Sequence, residues 1–174
     1  EVKVGDGTTM LQNVVISGPV RIGSGCVINA NTTIGSEGFR FIPHRERLEH
    51  IPQIGGIRIG DNVWVGSNVA IERGSLKETV VEDEVKIDDL VQIGFDARIG
   101  RASQITAGTV VGGNAVVEAS CWLAPNSSID TGVVVGRHSI VGMGSVVRRN
   151  VAPGSVVAGV PGRVLRKREN LPKE

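Results

Sequence analysis

Residues 81–111 read VEDEVKIDDLVQIGFDARIGRASQITAGTVV, and every sixth position is a large aliphatic: Val81, Ile87, Ile93, Ile99, Ile105 and Val111. The ladder runs on through Val117, Leu123, Ile129, Val135, Val141 and Val147. A helix repeats near 3.6 residues and a flat strand every two, so neither produces this spacing. Upstream it holds at Val4, Met10, Ile16, Ile22, Ile28 and Ile34, then at Ile59, Val65 and Ile71, for twenty-one rungs in all. Two residues before each rung stands a small or β-branched side chain, such as Val91, Ala97, Ser103, Thr109 or Cys121. Each hexad therefore has two inward positions. Glycine often follows the rung, as at Gly60, Gly66, Gly94, Gly100 and Gly112, where the expectation is that it supplies backbone dihedral freedom at a corner.

These hexads resemble the hexapeptide-repeat family. The resemblance implies an all-β, left-handed parallel β-helix with three hexads, about eighteen residues, in each triangular coil. Twenty-one hexads then make about seven coils over residues 1–150, and residues 151–174 form a C-terminal extension that closes the helix. A repeat buries its rung only against its neighbours, so the expected core is a column of stacked Ile and Val.

Composition bounds the function. The chain is 40% hydrophobic and 21% charged, ordinary for a globular protein, but its 24 Gly, absent Tyr and 3% aromatic content suit a repeat with many tight corners. A formal net charge of +1 argues against a nucleic-acid partner. No stretch approaches the roughly 18 apolar residues of a membrane span, and nothing reads as a secretory signal, so the cytoplasm is the default location. Cys26 and Cys121 fall on the small inward position and read as packed thiols. Only three residues precede the first rung, which leaves two readings: a complete small repeat protein, or one from which an N-terminal domain has been cut away.

Two breaks interrupt the ladder. The longer, residues 36–56, is a loop excursion with Glu37, Arg40, His44, Arg45, Glu46, Arg47, Glu49 and His50, stiffened by Pro43 and Pro52. The shorter lies between Ile71 and Val81, where ten residues replace six. Long excursions from tight repeats are commonly functional. After Val147 the hexads dissolve, and from Thr131 to Arg168 there is no acid but seven basic residues, including Arg148, Arg149, Arg163 and Arg166. Arginine clusters hold phosphates through forked, charge-assisted hydrogen bonds.

The closing stretch Gly142-Met143-Gly144-Ser145 through Ala158-Gly159-Val160-Pro161-Gly162-Arg163 resembles the end of hexapeptide acyltransferases that use coenzyme A. That resemblance implies acyl-CoA (acetyl-CoA or a short hydroxyacyl-CoA) as co-substrate. It also implies nucleotide phosphates at Arg148, Arg149, Arg163 and Arg166, and pantetheine amides near Ala124 and Gly142. A homotrimer follows from the same likeness. Trp64 and Trp122, each one residue before a rung, should point outward, to be buried between subunits or to line a groove.

The middle of the chain is similar to the UDP-3-O-acylglucosamine N-acyltransferase family through Gly35-Ser36-Glu37-Gly38-Phe39, Ile51-Pro52-Gln53-Ile54-Gly55, Ile71-Glu72-Arg73-Gly74 and Asp88-Asp89-Leu90-Val91-Gln92-Ile93. It departs where that family carries Ala-His-Asn with its proposed basic histidine, because here Gly94-Phe95-Asp96 follows and Phe95 takes the base position. The implied reaction is transfer of a short acyl group to the amino group of a nucleotide-linked deoxyamino sugar for surface polysaccharide synthesis. Candidates for the proton are His50, His44 and Asp96, or no side chain at all, with the amine entering neutral. Glu72, Arg73, Asp88, Asp89 and Phe95 are the candidate sugar contacts.

Three alternatives stand beside this. Acyl carrier protein would suit the same basic cluster as donor. The run Ile59-Gly60-Asp61-Asn62-Val63-Trp64-Val65-Gly66 also resembles O-acetyltransferases acting on a sugar or serine hydroxyl, with His44 then the base. A non-catalytic β-helix would explain the ladder but not the charged excursion or the basic end. Hexapeptide repeats also build γ-class carbonic anhydrases. Their zinc needs three histidines including a pair five apart, which His44, His50 and His138 do not offer, so no metal is expected.

Overall fold

The computed structural model describes residues 1–168 and consists of strands and turns, so the last six residues of the predicted 151–174 extension lie outside it. The chain winds as a three-sided parallel β-helix, the architecture that the resemblance to the hexapeptide-repeat family implies. Two faces carry seven strands each and the third carries nine. Partners on one face stand eighteen residues apart, as Lys86 does from Gln104 and Gln92 from Val110, so each coil spends one hexad on each face. Among the described residues there is no helix, and hence none long and apolar enough to cross a membrane.

Rungs and the positions two before them face inward. Ile87, Ile93, Ile99, Ile105, Val111 and Val117 are all 0% exposed. The small positions Ala97, Ser103, Thr109, Ala115 and Cys121 are buried with them. Their hydroxyls are satisfied within the column: Ser103 Oγ donates to Glu118 O at 3.0 Å and accepts the Cys121 N–H at 3.1 Å. The column frays at its start, where Val4 is 46% exposed and Met10 and Ile16 are only partly covered. Both tryptophans point outward from one face, separated by the rows of Lys86 and Gln104.

The corners correct the expectation about glycine. Positive φ occurs mostly three residues after the rung, at Asn62, Asn68, Glu84, Leu90, Asp96, Ala102 and Asn114 among others, with φ from 55° to 61°, and directly after a rung at Gly35, where the hairpin departs. Asn and Asp enter this left-handed region more readily than most side chains, which suits many of these positions. Glycine directly after the rung serves close approach instead. A Cβ at Gly94 would meet Gly113 N at 2.7 Å, and one at Gly100 would meet Ala119 N at 2.6 Å in the next coil.

The 36–56 excursion is an ordered antiparallel hairpin, Phe41–His44 with Arg47–His50, in which Phe41 lies opposite His50. It lacks the six-residue period because it pairs with itself rather than with a coil. At the C-terminus, Ser155–Ala158 adds a parallel strand beside Ile140–Val141, and Arg163–Lys167 turns back antiparallel to it. That reversal ends the stacking.

Candidate functional site

The base of the hairpin, the short insertion and one corner of the helix meet at Glu72. The strand Ala70–Glu72 is irregular here: Ile71 pairs with Ile34, but Glu72 pairs with Ser36, a register shift of the bulge type. Bulges re-aim side chains, and Glu72 is turned in to only 9% exposure. Its Oε1 accepts Gln92 Nε2 at 3.0 Å and its Oε2 accepts the backbone N–H of Phe95 at 3.0 Å. Gln53, 1% exposed at the hairpin base, accepts the Gly38 N–H on Oε1 at 2.6 Å, while its Nε2 has no partner among the described residues. A side chain at 38 has no room, because its Cβ would lie 2.3 Å from Glu72 Oε2 and 3.0 Å from Gln53 Nε2.

Phe95 continues from this node toward the next coil. Its ring lies over Gly113, where an added Cβ would come within 2.8 Å of it. A groove follows the same face toward the C-terminus, lined by Val110, Gly112, Ser128, Thr131, Val146 and Arg148. Register places Gln92, Val110, Ser128 and Val146 in successive rows. Three strand spacings separate the first from the last, about 14 Å. Arg148 also lines a second cleft of about 230 Å³, which it shares with Arg149, Pro161, Gly162 and Arg163. Its Nε is 3.5 Å from Asp130 Oδ2.

The structure therefore brings Arg148, Arg149 and Arg163 together and sets Glu72 and Phe95 at the other end of one face. It does not gather the remaining candidates there. Arg166 sits on the last strand opposite Val156, outside the cleft. Ala124 and Gly142 spend their N–H groups in the ladder, on Val141 O and Val157 O, each at 2.9 Å or less. Asp88 Oδ2 accepts the Ala107 N–H at 3.1 Å and Asp89 Oδ1 the Ser67 N–H at 2.7 Å, so both cap corners. Arg73 Nε donates to Gly35 O at 2.8 Å. His44 Nδ1 is 2.8 Å from Glu49 Oε1, and His50 Nε2 is 3.2 Å from Glu37 Oε2 with its ring against Phe41. Asp96 occupies a positive-φ corner and accepts the Ser75 N–H at 2.9 Å, which fixes the short insertion. No cluster of three or more potential metal ligands occurs among the described residues.

Gln53 and Gln92 carry part of this node, yet neither residue type nor spacing marks them. The available signal is the resemblance, since both stand in segments that carry it, Ile51-Pro52-Gln53 and Val91-Gln92-Ile93.

Known proteins share this chain's repeats. The family described as "Bacterial transferase hexapeptide (six repeats)" matches residues 1–36 and 114–149, and the "Hexapeptide repeat of succinyl-transferase" matches 53–73 and 90–123. The UDP-3-O-acylglucosamine N-acyltransferase of Janthinobacterium sp. (strain Marseille) is 33% identical over 162 residues, which is 92% of this chain and 46% of that protein. The enzyme of the same name from Shewanella denitrificans is 41% identical over 95 residues, 55% of this chain and 28% of that one. The chain thus spans less than half the length of these relatives. Among solved structures, LpxA from Acinetobacter baumannii superposes with a TM-score of 0.84 at 20% identity, covering 96% of this chain and 63% of the other. The UDP-N-acetylglucosamine acyltransferase of Arabidopsis does so at 0.79 and 21%, covering 95% and 64%. At such identities these structures establish the fold.

Proposed function

Because the chain belongs to the hexapeptide-repeat transferase family, we propose that it moves a short acyl group, acetyl or hydroxyacyl, from acyl-CoA to the amino group of a nucleotide-linked deoxyamino sugar. The relatives' names support the nucleotide sugar and the amide product. The observation that carries the donor assignment is Arg148, which lines both the three-arginine cleft and the groove leading back toward Phe95 and Glu72. Clustered guanidinium groups fit nucleotide and pantetheine phosphates. A partly apolar groove suits the arm that carries the thioester, and the chemistry then falls at the Gln92 end. Assembly as a homotrimer in the cytoplasm, with products feeding surface polysaccharide, belongs to the same proposal.

Calorimetric titration of the purified protein with acetyl-CoA and free CoA tests it, read together with the rise in melting temperature that a ligand of the folded state must produce. Micromolar binding supports the reading. No binding at millimolar CoA, with binding of an acylated carrier protein instead, would move the same cleft to that donor.

A further inference from the structure

The node at Glu72 is electrostatically unfinished. A carboxylate withdrawn from water needs a countercharge as well as hydrogen bonds, yet both donors to Glu72 are neutral. No ion pair is formed by Glu72 among the described residues. The neighbouring acids and histidines are already matched, and Arg73, next to Glu72 in sequence, turns away from it to donate to Gly35 O and Ser17 Oγ. Glu37 and Glu49 face His50 and His44, and Asp96 is committed to the Ser75 N–H. Beside Glu72 the Gln53 amide nitrogen is buried without an acceptor, a condition that folded proteins ordinarily avoid. One place therefore lacks both a cation and an acceptor oxygen. The bulge that aims Glu72 inward belongs to the same place.

Resting on the acyltransferase reading above, we infer that Glu72 binds the acceptor's amino group and takes its first proton, with Gln53 directed at an oxygen on the neighbouring sugar carbon. An amino sugar presents an ammonium and an adjacent hydroxyl, the pair that this node lacks. Entry is past Gln92, which is exposed on the outer face beside the groove. The ammonium gives one proton to Glu72, and the free amine attacks the thioester carbonyl carbon. The C–S bond then breaks, and the second proton leaves the new amide nitrogen for the departing thiolate. Amide, thiol and protonated Glu72 account for every atom, and solvent resets the carboxylate. Phe95 fixes the carboxylate through its N–H, while its ring lies over Gly113 in the next coil.

The test compares UDP-glucosamine with UDP-glucose, probes that differ by amine against hydroxyl, on wild type and on Glu72→Gln. Binding is measured by calorimetry and acetyl transfer by release of CoA thiol. Wild type should prefer the amine by about tenfold or more, as a desolvated charge pair allows. Glu72→Gln should erase that preference and lose transfer while keeping its affinity for acetyl-CoA. A preference that survives in Glu72→Gln, or is absent from wild type, overturns the inference and leaves the donor reading standing. Failure of wild type to bind either sugar nucleotide overturns the acceptor reading and this inference with it. Should Glu72→Gln not fold, Glu72→Asp carries the test: the preference keeps its sign while transfer falls, and a variant equal to wild type in both refutes the role.

Discussion

Phe95 and Gly113 are in direct opposition across two coils: the ring of one fills the space that a side chain on the other would need, with only 2.8 Å to a Cβ built at 113. The same phenylalanine gives its N–H to Glu72, so the corner glycine supports the candidate site from below. Gly113→Ala should push the ring aside and destabilise the fold by about 1–3 kcal/mol, the usual range for overpacking. Phe95→Ala in the same chain should relieve it, giving a coupling of about 1 kcal/mol in a double-mutant cycle read from denaturation midpoints. Strict additivity would show that ring and corner do not meet.

The basic end divides into residues that share a cleft and one that does not. Arg149→Ala and Arg163→Ala should each weaken acetyl-CoA binding about tenfold or more, since a hydrogen bond to a charged group contributes about 1.5–3 kcal/mol. Arg166→Ala should stay within about twofold, because its side chain lies on the last strand outside the cleft. Added salt should weaken wild type more than Arg149→Ala. Equal losses at all three positions would point to general basic charge rather than a built phosphate site.

Position along the column should decide what a rung contributes. Ile99 is 0% exposed with full coils on either side, whereas Val4, in the first coil, is 46% exposed. Ile99→Ala should cost about 2–5 kcal/mol through lost transfer and an unfilled cavity, and Val4→Ala under about 1 kcal/mol. Thermal and urea unfolding distinguish these. Similar losses at both positions would require that the first coil be covered by something in solution.

The rungs were legible because a buried column imposes one demand at every sixth position, and Ile87 through Val147 answer it without exception. The corners were half legible. Gly94 and Gly100 mark them, but which residue takes positive φ and which admits the neighbouring coil depends on where that coil's backbone crowds the place a Cβ would take, a fact of stacking that one strand's sequence does not contain. The hairpin escaped for another reason. Phe41 and His50 pair only with each other's strand, and Phe41–His44 is exposed throughout, with no core to impose a pattern on it. At the candidate site, charge and residue type drew attention to the arginines and histidines. The node itself joins Gly38, Gln53, Glu72, Gln92 and Phe95 across a bulge and a hairpin base, and no spacing rule connects them. The arginine cleft was readable as composition, while the exclusion of Arg166 came from its place on the returning strand Arg163–Lys167, whose first residue reaches the cleft and whose fourth lies opposite Val156, a distinction that composition does not register.

Cys121 provides a last check on the column, this time through pH. Burial pushes its thiol up to about 11 from 9.0, against the smaller opposing influence of the Ser139 and His138 backbone. At about pH 8 its thiolate is then roughly a hundredfold scarcer than in a thiol that titrates at 9.0, and the residue is 1% exposed. Maleimide should therefore label Cys121 in the native protein no faster than the chain opens, and promptly in denaturant. The sign of the stability effect follows from the direction of the shift. The folded state holds this proton more tightly than the unfolded chain, so the contribution is complete below pH 9.0 and is lost as pH rises through about 11. Serine occupies the equivalent inward position at 103, 127, 139 and 145, each 0% exposed, so Cys121→Ser should fold. It should also flatten the fall in melting temperature over that alkaline window. An unchanged fall in Cys121→Ser would assign the alkaline loss to another group and remove the buried thiol from the account of stability.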